Sequence, residues 1–588
     1  MELKIQDKDV LLALFRERYV NQRAVSKATG YSLGAVNKSL KVLADCGLTD
    51  ENNDLTAAGK TFIEENSPKR AVIMAAGFGM RMVPINTEYP KALLKIKGEV
   101  LIERIIKQLH ECGVTDIDIV VGFMKEQFEY LIDGYGVNLI VNREYKEKNN
   151  LTSLSRIKKP LSNTYIIPCD VRLEKNLFES TESHSWYMVT DSLRDENNVF
   201  VNRKQEMILH GDEKNASMAE IAYLDRKDGE ALSKRIKEMA KDDIFAHSFW
   251  ETALLNEKGK FAIPARVVSA KDIVEINTYE QLRDIDGESE NLKTYAIDII
   301  SETFGVDGAE IKDITILKKG MTNRSFLFSV GGQKYIMRIP GEGSGVLVDR
   351  KEETENYEAI KGKGICDEIF YLNAENGYKI TRFIENSRCC DPGDEEDLRI
   401  CMKRLRDFHG QGLEVGHEFD EFRLLDFYED LWNGRPSVYP DYKKTKENVL
   451  SLRPYIEKYT ERSVLSHIDP NQDNFLIYED ESGEKQVKLI DWEYAGMHDP
   501  DIDVAMFCIY AMYDRDGIDR LIDIYFEGGC RPEIRVKIYC YIAVCGLLWS
   551  NWCEYKEALG VEFGEYSLKQ YRYAKEFYRI ATSETEKF

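Results

Sequence analysis

The 588-residue chain has no Cys-x-x-Cys pair, no internal repeat and no low-complexity tract. Its twelve cysteines are scattered, with one adjacent pair at Cys389 and Cys390. That excludes a disulfide framework or a thiolate zinc site and reads as reduced, mostly buried thiols. Long hydrophobic runs are missing too. The longest, Ile538 to Trp549, is too short to span a bilayer and reads as a buried helix. The opening, Met1 to Asp9, is charged and has no apolar core ahead of a cleavage site. No signal peptide is therefore expected, and the chain reads as cytoplasmic, with no membrane partner. Positive charge is also scarce. The 80 Lys and Arg face 103 Asp and Glu, a net charge of −23, which speaks against broad binding to nucleic acid or anionic membranes. What remains, 43% hydrophobic and 31% charged residues, is the composition of globular protein. The length suggests about three or four domains.

The densest chemistry lies between Leu465 and Tyr494. The run Leu-Ser-His467-Ile-Asp469-Pro-Asn-Gln-Asp-Asn474 is followed by an acidic turn, and Val487 to Ile490 then delivers Asp491. Phosphoryl transfer needs a carboxylate to orient or deprotonate the acceptor hydroxyl, and oxygen ligands for Mg²⁺ on the nucleotide phosphates. Asp469 suits the first task; Asn474 and Asp491 suit the second. The spacing His-x-Asp-x-x-x-x-Asn, then Ile-Asp-Trp-Glu-Tyr, resembles the catalytic and metal loops of choline/ethanolamine kinases and aminoglycoside phosphotransferases. The resemblance implies a bilobal, protein-kinase-like domain over residues 293–588 that uses ATP. It implies nucleotide contacts from Asn323 in the turn Leu317 to Phe328, from Arg338 paired with Glu353, and from a hinge at Thr381 to Glu385. On the acceptor side it points to Glu493, Trp549 and Trp552. The two tryptophans are three residues apart on a helix, so they share a face, and a quaternary ammonium must be held by such π faces.

Residues 68–290 carry a second constellation. The buried-strand run Ala71 to Ala76 opens into Gly77-Phe-Gly79-Met-Arg81, then Pro90-Lys91-Ala-Leu-Leu, then a helix with Glu103. Backbone N–H groups at Ala76, Gly77 and Gly79 suit phosphate oxygens, and Arg81 and Lys91 suit the charge that builds on an α-phosphoryl group and its leaving pyrophosphate. Thr164 to Asp170 and Ile273 to Asn277 are strands ending in oxygen ligands, which makes Asp170 and Asn277 the metal candidates. Strands alternating with helices predict an open, mostly parallel α/β sheet. The whole pattern resembles nucleoside-triphosphate transferases. The stretches Asn149 to Leu154, Leu161 to Ile167 and Glu275 to Asn277 are similar to bacterial CTP:phosphocholine cytidylyltransferases, which usually show Asp where this chain has Asn277; an amide is the poorer Mg²⁺ ligand. Trp186, Tyr187 and Trp250 are read either as core or as a wall for an ammonium group.

Residues 1–66 read as helices Asp9 to Tyr19, Gln22 to Thr29 and Leu33 to Ala44, a small hairpin, and helix Ala57 to Glu65. They resemble a winged helix-turn-helix module with Ser32 to Leu43 as recognition helix. Nine Lys and Arg against ten Asp and Glu through Asn66 give little of the basic footprint that DNA demands. The order of parts resembles a Lic-type fusion. Choline would be phosphorylated by ATP, and phosphocholine coupled to CTP to give CDP-choline, with Mg²⁺ at both sites. Two rivals stay open: the same two reactions on ethanolamine, an aminoalkylphosphonate or a sugar phosphate, and a DNA-binding regulator whose enzyme-like domains sense ligands.

Overall fold

The computed structural model describes residues 3–194, 196–317, 323–341, 348–558, 561 and 563–585. It divides into two compact units, Met1–Asp298 and Ile299–Phe588.

The first unit begins with helices Ile5–Arg16, Gln22–Thr29 and Leu33–Asp45, an antiparallel bridge between Thr49 and Leu55, and helix Ala57–Asn66. The first helix starts ahead of the Asp9 expected from periodicity because the Asp7 carboxylate accepts from the Lys4 backbone N–H at 3.1 Å and anchors the turn. Val10, Leu11, Val36, Leu40 and Leu43 form its small core.

Beyond it lies a nine-stranded sheet. Its centre, Thr164–Pro168, Arg70–Ala75, Asp116–Val121 and Asn138–Val141, is parallel. These strands are apolar almost throughout because helices cover both faces. Strand Ala216–Leu224 joins antiparallel to Thr164–Pro168. It slips register against Trp186–Thr190 between Met218 and Ala222, and Glu220 in that bulge has φ +58°. A bulge re-aims a side chain out of the regular alternation. The polar, glycine-containing segment 284–290, which reads from its composition as a linker, is tied down. The Ser289 hydroxyl donates to the Lys95 carbonyl at 2.8 Å, and the Lys95 N–H donates to Asn291 at 2.8 Å. The division between units falls later, after Asp298.

The second unit opens with a five-stranded antiparallel sheet in the order Lys312–Ile316, Asn323–Val330, Gln333–Pro340, Lys379–Arg382, Ile369–Leu372. Most of the turn expected over the phosphates lies outside the described residues. Asp349 caps helix Arg350–Ile360 by accepting from the Lys351 and Glu352 N–H groups, which places Glu353 on the inner side of the first turn. The rest is helical and encloses a small three-stranded antiparallel sheet, Arg388–Cys389, Phe475–Glu479 and Lys485–Leu489, and the antiparallel pair Val464–Ser466 and Gly496–His498. Its central helix, Pro532–Glu557, is buried from Ile534 to Cys553 apart from Arg535. No described helix is long and apolar enough to cross a membrane. All twelve cysteines are free, and Cys389 alone is exposed.

Candidate active sites

In the first unit a cavity of about 440 Å³ opens at the carboxyl ends of the parallel strands, walled by Ala76, Gly77, Gly79, Lys91, Asp170 and Glu220 among others. Gly79 has φ +61°, and a Cβ there would lie 3.4 Å from Lys91 Cβ. Glycine thus serves both the turn and the close approach of the lysine chain. Lys91 Nζ donates to Asp170 Oδ2 and Asn277 Oδ1, each at 2.6 Å. Asn277 Nδ2 donates in turn to Glu275 at 2.6 Å, and Glu275 takes Arg194 at 2.6 Å. The amide is thereby oriented with its oxygen toward Asp170 and the cation.

Glu220 belongs to no motif in the sequence, yet it joins this wall. Burial, then the nearby charges of Glu251 and Asp170, push its carboxyl up to about 9. Glu251 accepts from the Tyr187 hydroxyl at 3.0 Å and is lifted by burial to about 7. The only sequence hint was a carboxylate in mid-strand among apolar residues. Arg81 is placed differently from expectation. Half exposed, it pairs with Glu196 at 3.0 Å and is not among the described residues lining the cavity. Trp186, Tyr187 and Trp250 are fully buried, with the Arg266 guanidinium 3.9 Å from the Trp186 ring centroid. They are core and form no wall of the cavity.

The helical N-terminal module docks on this same unit through its first helix. Ser183 Oγ donates to Asp9 at 2.9 Å, Arg16 donates to the Thr181 carbonyl at 2.9 Å, and Lys8 meets Asp225 at 3.3 Å. Asn37, Lys38 and Lys41 on the third helix stay exposed.

In the second unit the catalytic-loop residues converge. Asn474 Nδ2 donates to the Asp469 carbonyl at 2.8 Å and to its carboxylate at 3.2 Å. The amide N–H₂ is thus committed and Oδ1 is left as acceptor. His467 Nε2 meets the Ile490 carbonyl at 2.9 Å, which ties this loop to the one bearing Asp491. Ile468 and Asp491 both have positive φ, +69° and +67°. Such values are rare for a β-branched residue and strained backbone gathers at functional sites. Burial, opposed by the Tyr510 hydroxyl and helped by Asp491, lifts the Asp469 carboxyl to about 7.

Arg338 and Glu353 form a bidentate pair at 2.5 and 2.9 Å, both buried. Burial alone would raise Glu353, but Arg338 overcomes it and holds the carboxyl at about 2. Glu352 and Glu355 stand on the same helix, and the pair that forms is with Glu353. Glu493 accepts from Arg350 at 3.3 Å. Burial, then Asp491, raises it to about 7.

Trp549 stands edge-on to Tyr494, centroids 6.0 Å apart at 86°, and to Trp552, 5.5 Å at 88°. Tyr510 lies 5.7 Å from Trp549, and its hydroxyl is near enough to Asp469 to oppose the rise of that carboxyl. An aromatic cluster therefore adjoins the carboxylate, and Tyr494 and Tyr510 are members that no tryptophan pattern announced. Asn323 pairs with Pro340 in the sheet, while its side chain lies outside the described residues. Glu385 meets Lys334 at 3.2 Å.

Comparison with known proteins places these sites in families. The model of the choline/ethanolamine kinases matches residues 314–521, and that of the MobA-like NTP transferase domains matches residues 71–189. The choline-phosphate cytidylyltransferase of Streptococcus pneumoniae is 29% identical over 230 residues, 37% of this chain and 96% of that protein. The 2-aminoethylphosphonate cytidylyltransferase of Lancefieldella rimae is 30% identical over 227 residues, 37% of this chain and 91% of that protein. Protein LicA of Haemophilus influenzae is 27% identical over 266 residues, 42% of this chain and 96% of that protein.

Proposed function

We propose, for a chain that belongs to the MobA-like NTP transferases in its first unit and to the choline/ethanolamine kinases in its second, that it makes CDP-choline in two steps. The second unit phosphorylates choline with ATP. The first unit couples phosphocholine to CTP and releases pyrophosphate. The observation that carries this reading is the junction at Tyr510, whose hydroxyl opposes the rise of the Asp469 carboxyl and whose ring flanks Trp549. Choline has its hydroxyl two carbons from a quaternary nitrogen. A base for the one must therefore adjoin a π-lined wall for the other, because that nitrogen has no hydrogen to donate.

In the kinase site Asp469 orients the hydroxyl and takes its proton. Arg338, fixed by Glu353, meets the ATP phosphates. The strand end Thr381 to Glu385 faces adenine with its backbone, and Asn323 borders the phosphate turn. Trp549 and Trp552, with Tyr494 and Glu493 beside them, hold the ammonium. Asn474 and Asp491 present hard oxygens suited to Mg²⁺, and the committed N–H₂ of Asn474 leaves its oxygen for that use. In the transferase site Gly77, Gly79 and the Ala76 backbone cradle the CTP phosphates, while Lys91 and, from the rim, Arg81 meet the charge that develops. Asp170 and Asn277 would hold Mg²⁺; their oxygens already converge on one cation, the Lys91 ammonium. At both sites the metal supplies neutralising charge for triphosphate oxygens. Glu220, on the cavity wall, faces the cationic end of phosphocholine, whose charge would draw its raised carboxyl back toward the ionised form. The reactions run in the cytoplasm. The N-terminal module acts as a docked regulatory part, and its exposed Asn37, Lys38 and Lys41 are the face for any DNA.

The test is pyrophosphate release with CTP across phosphocholine, phosphoethanolamine, 2-aminoethylphosphonate and a sugar phosphate. Phosphocholine is expected to give the highest kcat/KM. Preference for the phosphonate would reject the acceptor assignment.

A further inference from the structure

The aromatic wall of the second unit already holds a cation of its own. Trp549 and Trp552 stand on helix Pro532–Glu557, and Lys556 lies in the last turn of the same helix. Helical side chains lean toward the N-terminus, so residues four apart meet. The Lys556 ammonium accordingly stands over the Trp552 ring, 5.7 Å from its centroid, within reach of a cation–π contact. Among the described residues it forms no ion pair. Burial lowers its pKa from the ordinary lysine value, and the charge that opposes the fall is that of Glu493. A ring face and the field of Glu493 are the two features that this wall offers to the ammonium of choline.

We propose that Lys556 is a tethered competitor for the ammonium seat of the kinase, which an acceptor fills only when the lysine side chain has swung out. Two like charges do not share one ring face. Lys556 is only half-buried, so rotation of its long stem carries the ammonium into solvent without moving the helix. A ligand that binds one of two states is weakened by the fraction of molecules in that state, so a lysine seated in about nine molecules of ten raises the acceptor KM about tenfold. The filled site is the same in either case, and kcat is untouched. Every cationic acceptor displaces the same ammonium, so the factor is common to choline and ethanolamine. The lysine thus sets the concentration at which the site fills, and the rings set the choice between acceptors.

The inference rests on the kinase reading above. Its test uses the full chain and follows phosphorylation of choline and of ethanolamine, with CTP coupling as the control. Lys556→Met keeps an unbranched stem and removes the charge. Lys556→Arg keeps the charge and stacks more readily on an indole. The Met variant is expected to lower KM for choline by about threefold or more. KM for ethanolamine should fall by the same factor within about twofold, and kcat and KM for ATP should stay within about twofold of the parent. The Arg variant should match the parent or raise both acceptor KM values. CTP coupling, carried by the other unit, should be unchanged in both. Tighter acceptor binding is a result that a merely structural lysine would not give, since its removal would loosen the wall. A smaller fall or a rise in the choline KM of the Met variant, a gain confined to one acceptor, a loss of kcat, or an Arg variant that binds as tightly as Met would overturn the proposal. If the Met chain does not fold, Lys556→Gln, also neutral, is read by the same criteria. Failure of the parent reading looks different, since the unaltered chain would then not phosphorylate choline at all.

Discussion

The two sites are lined differently around related cations. In the kinase site the apolar trimethylammonium end is to be held by ring faces, with Trp549 at the centre and Tyr494, Tyr510 and Trp552 around it. In the transferase site Trp186, Tyr187 and Trp250 are packed into the core, and the cavity is lined by the carboxyls of Asp170 and Glu220 as well as by Phe78 and Tyr145. Ring faces select a cation by its apolar surface; carboxylates select it by charge. The first site should therefore be the stricter judge of methylation, so that much of the discrimination between choline and ethanolamine is made before CTP is spent.

The largest expected effect is the loss of the base. Asp469→Asn should lower choline phosphorylation about a thousandfold, within the range for a general base, and leave CTP coupling with supplied phosphocholine unaltered; steady-state rates of both reactions check it. Next is the ring wall. Trp549→Ala should raise KM for choline about tenfold, near the ~1–2 kcal/mol of a desolvated cation–π contact, and raise KM for ethanolamine less. Equal effects on the two acceptors would remove the contrast between the sites.

A smaller effect is expected at Asn277. Asn277→Asp adds a carboxylate beside Asp170 and should lower the half-saturating Mg²⁺ of CTP coupling a few-fold. The gain is limited because the present amide bonds Glu275 at 2.6 Å, which an aspartate would repel. A magnesium titration of the coupling rate reads it. The smallest is the pH response. Asp469 must be ionised to act, and burial lifts it to about 7. The kcat/KM for choline should therefore fall tenfold per unit well below pH 7 and rise only about twofold between pH 7 and 8.

The two sites also differ in how far the sequence revealed them. Asp469, Asn474, Asp491 and Glu493 lie within one thirty-residue stretch, where spacing and geometry are nearly the same thing, and the structure brings them together as that spacing implies. Arg338 and Glu353 were also legible, because a strand and the first turn of the next helix must lie close. The transferase cavity draws on segments from Ala76 to Asn277, some 200 residues apart. Its glycine turn, Lys91 and Asp170 were readable as strand ends. Glu220 was not, since only a register slip in the sheet turns it inward. Nor was the displacement of Arg81 toward Glu196, which depends on a loop distant in sequence. The order of helices in the N-terminal module was legible, because local periodicity and caps decide such elements, but its first helix runs Ile5–Arg16, three to four residues ahead of the expected span.

The central claim is that one polypeptide runs two separable reactions in sequence, and one assay addresses it. Choline, ATP, CTP and Mg²⁺ are supplied together, and the products are identified by mass spectrometry for the parent chain, Asp469→Asn and Lys91→Ala. The account predicts CDP-choline from the parent, neither product from Asp469→Asn unless phosphocholine is added, and accumulated phosphocholine from Lys91→Ala. CDP-choline formed from choline by Asp469→Asn, or a parent chain that stops at phosphocholine, would contradict it.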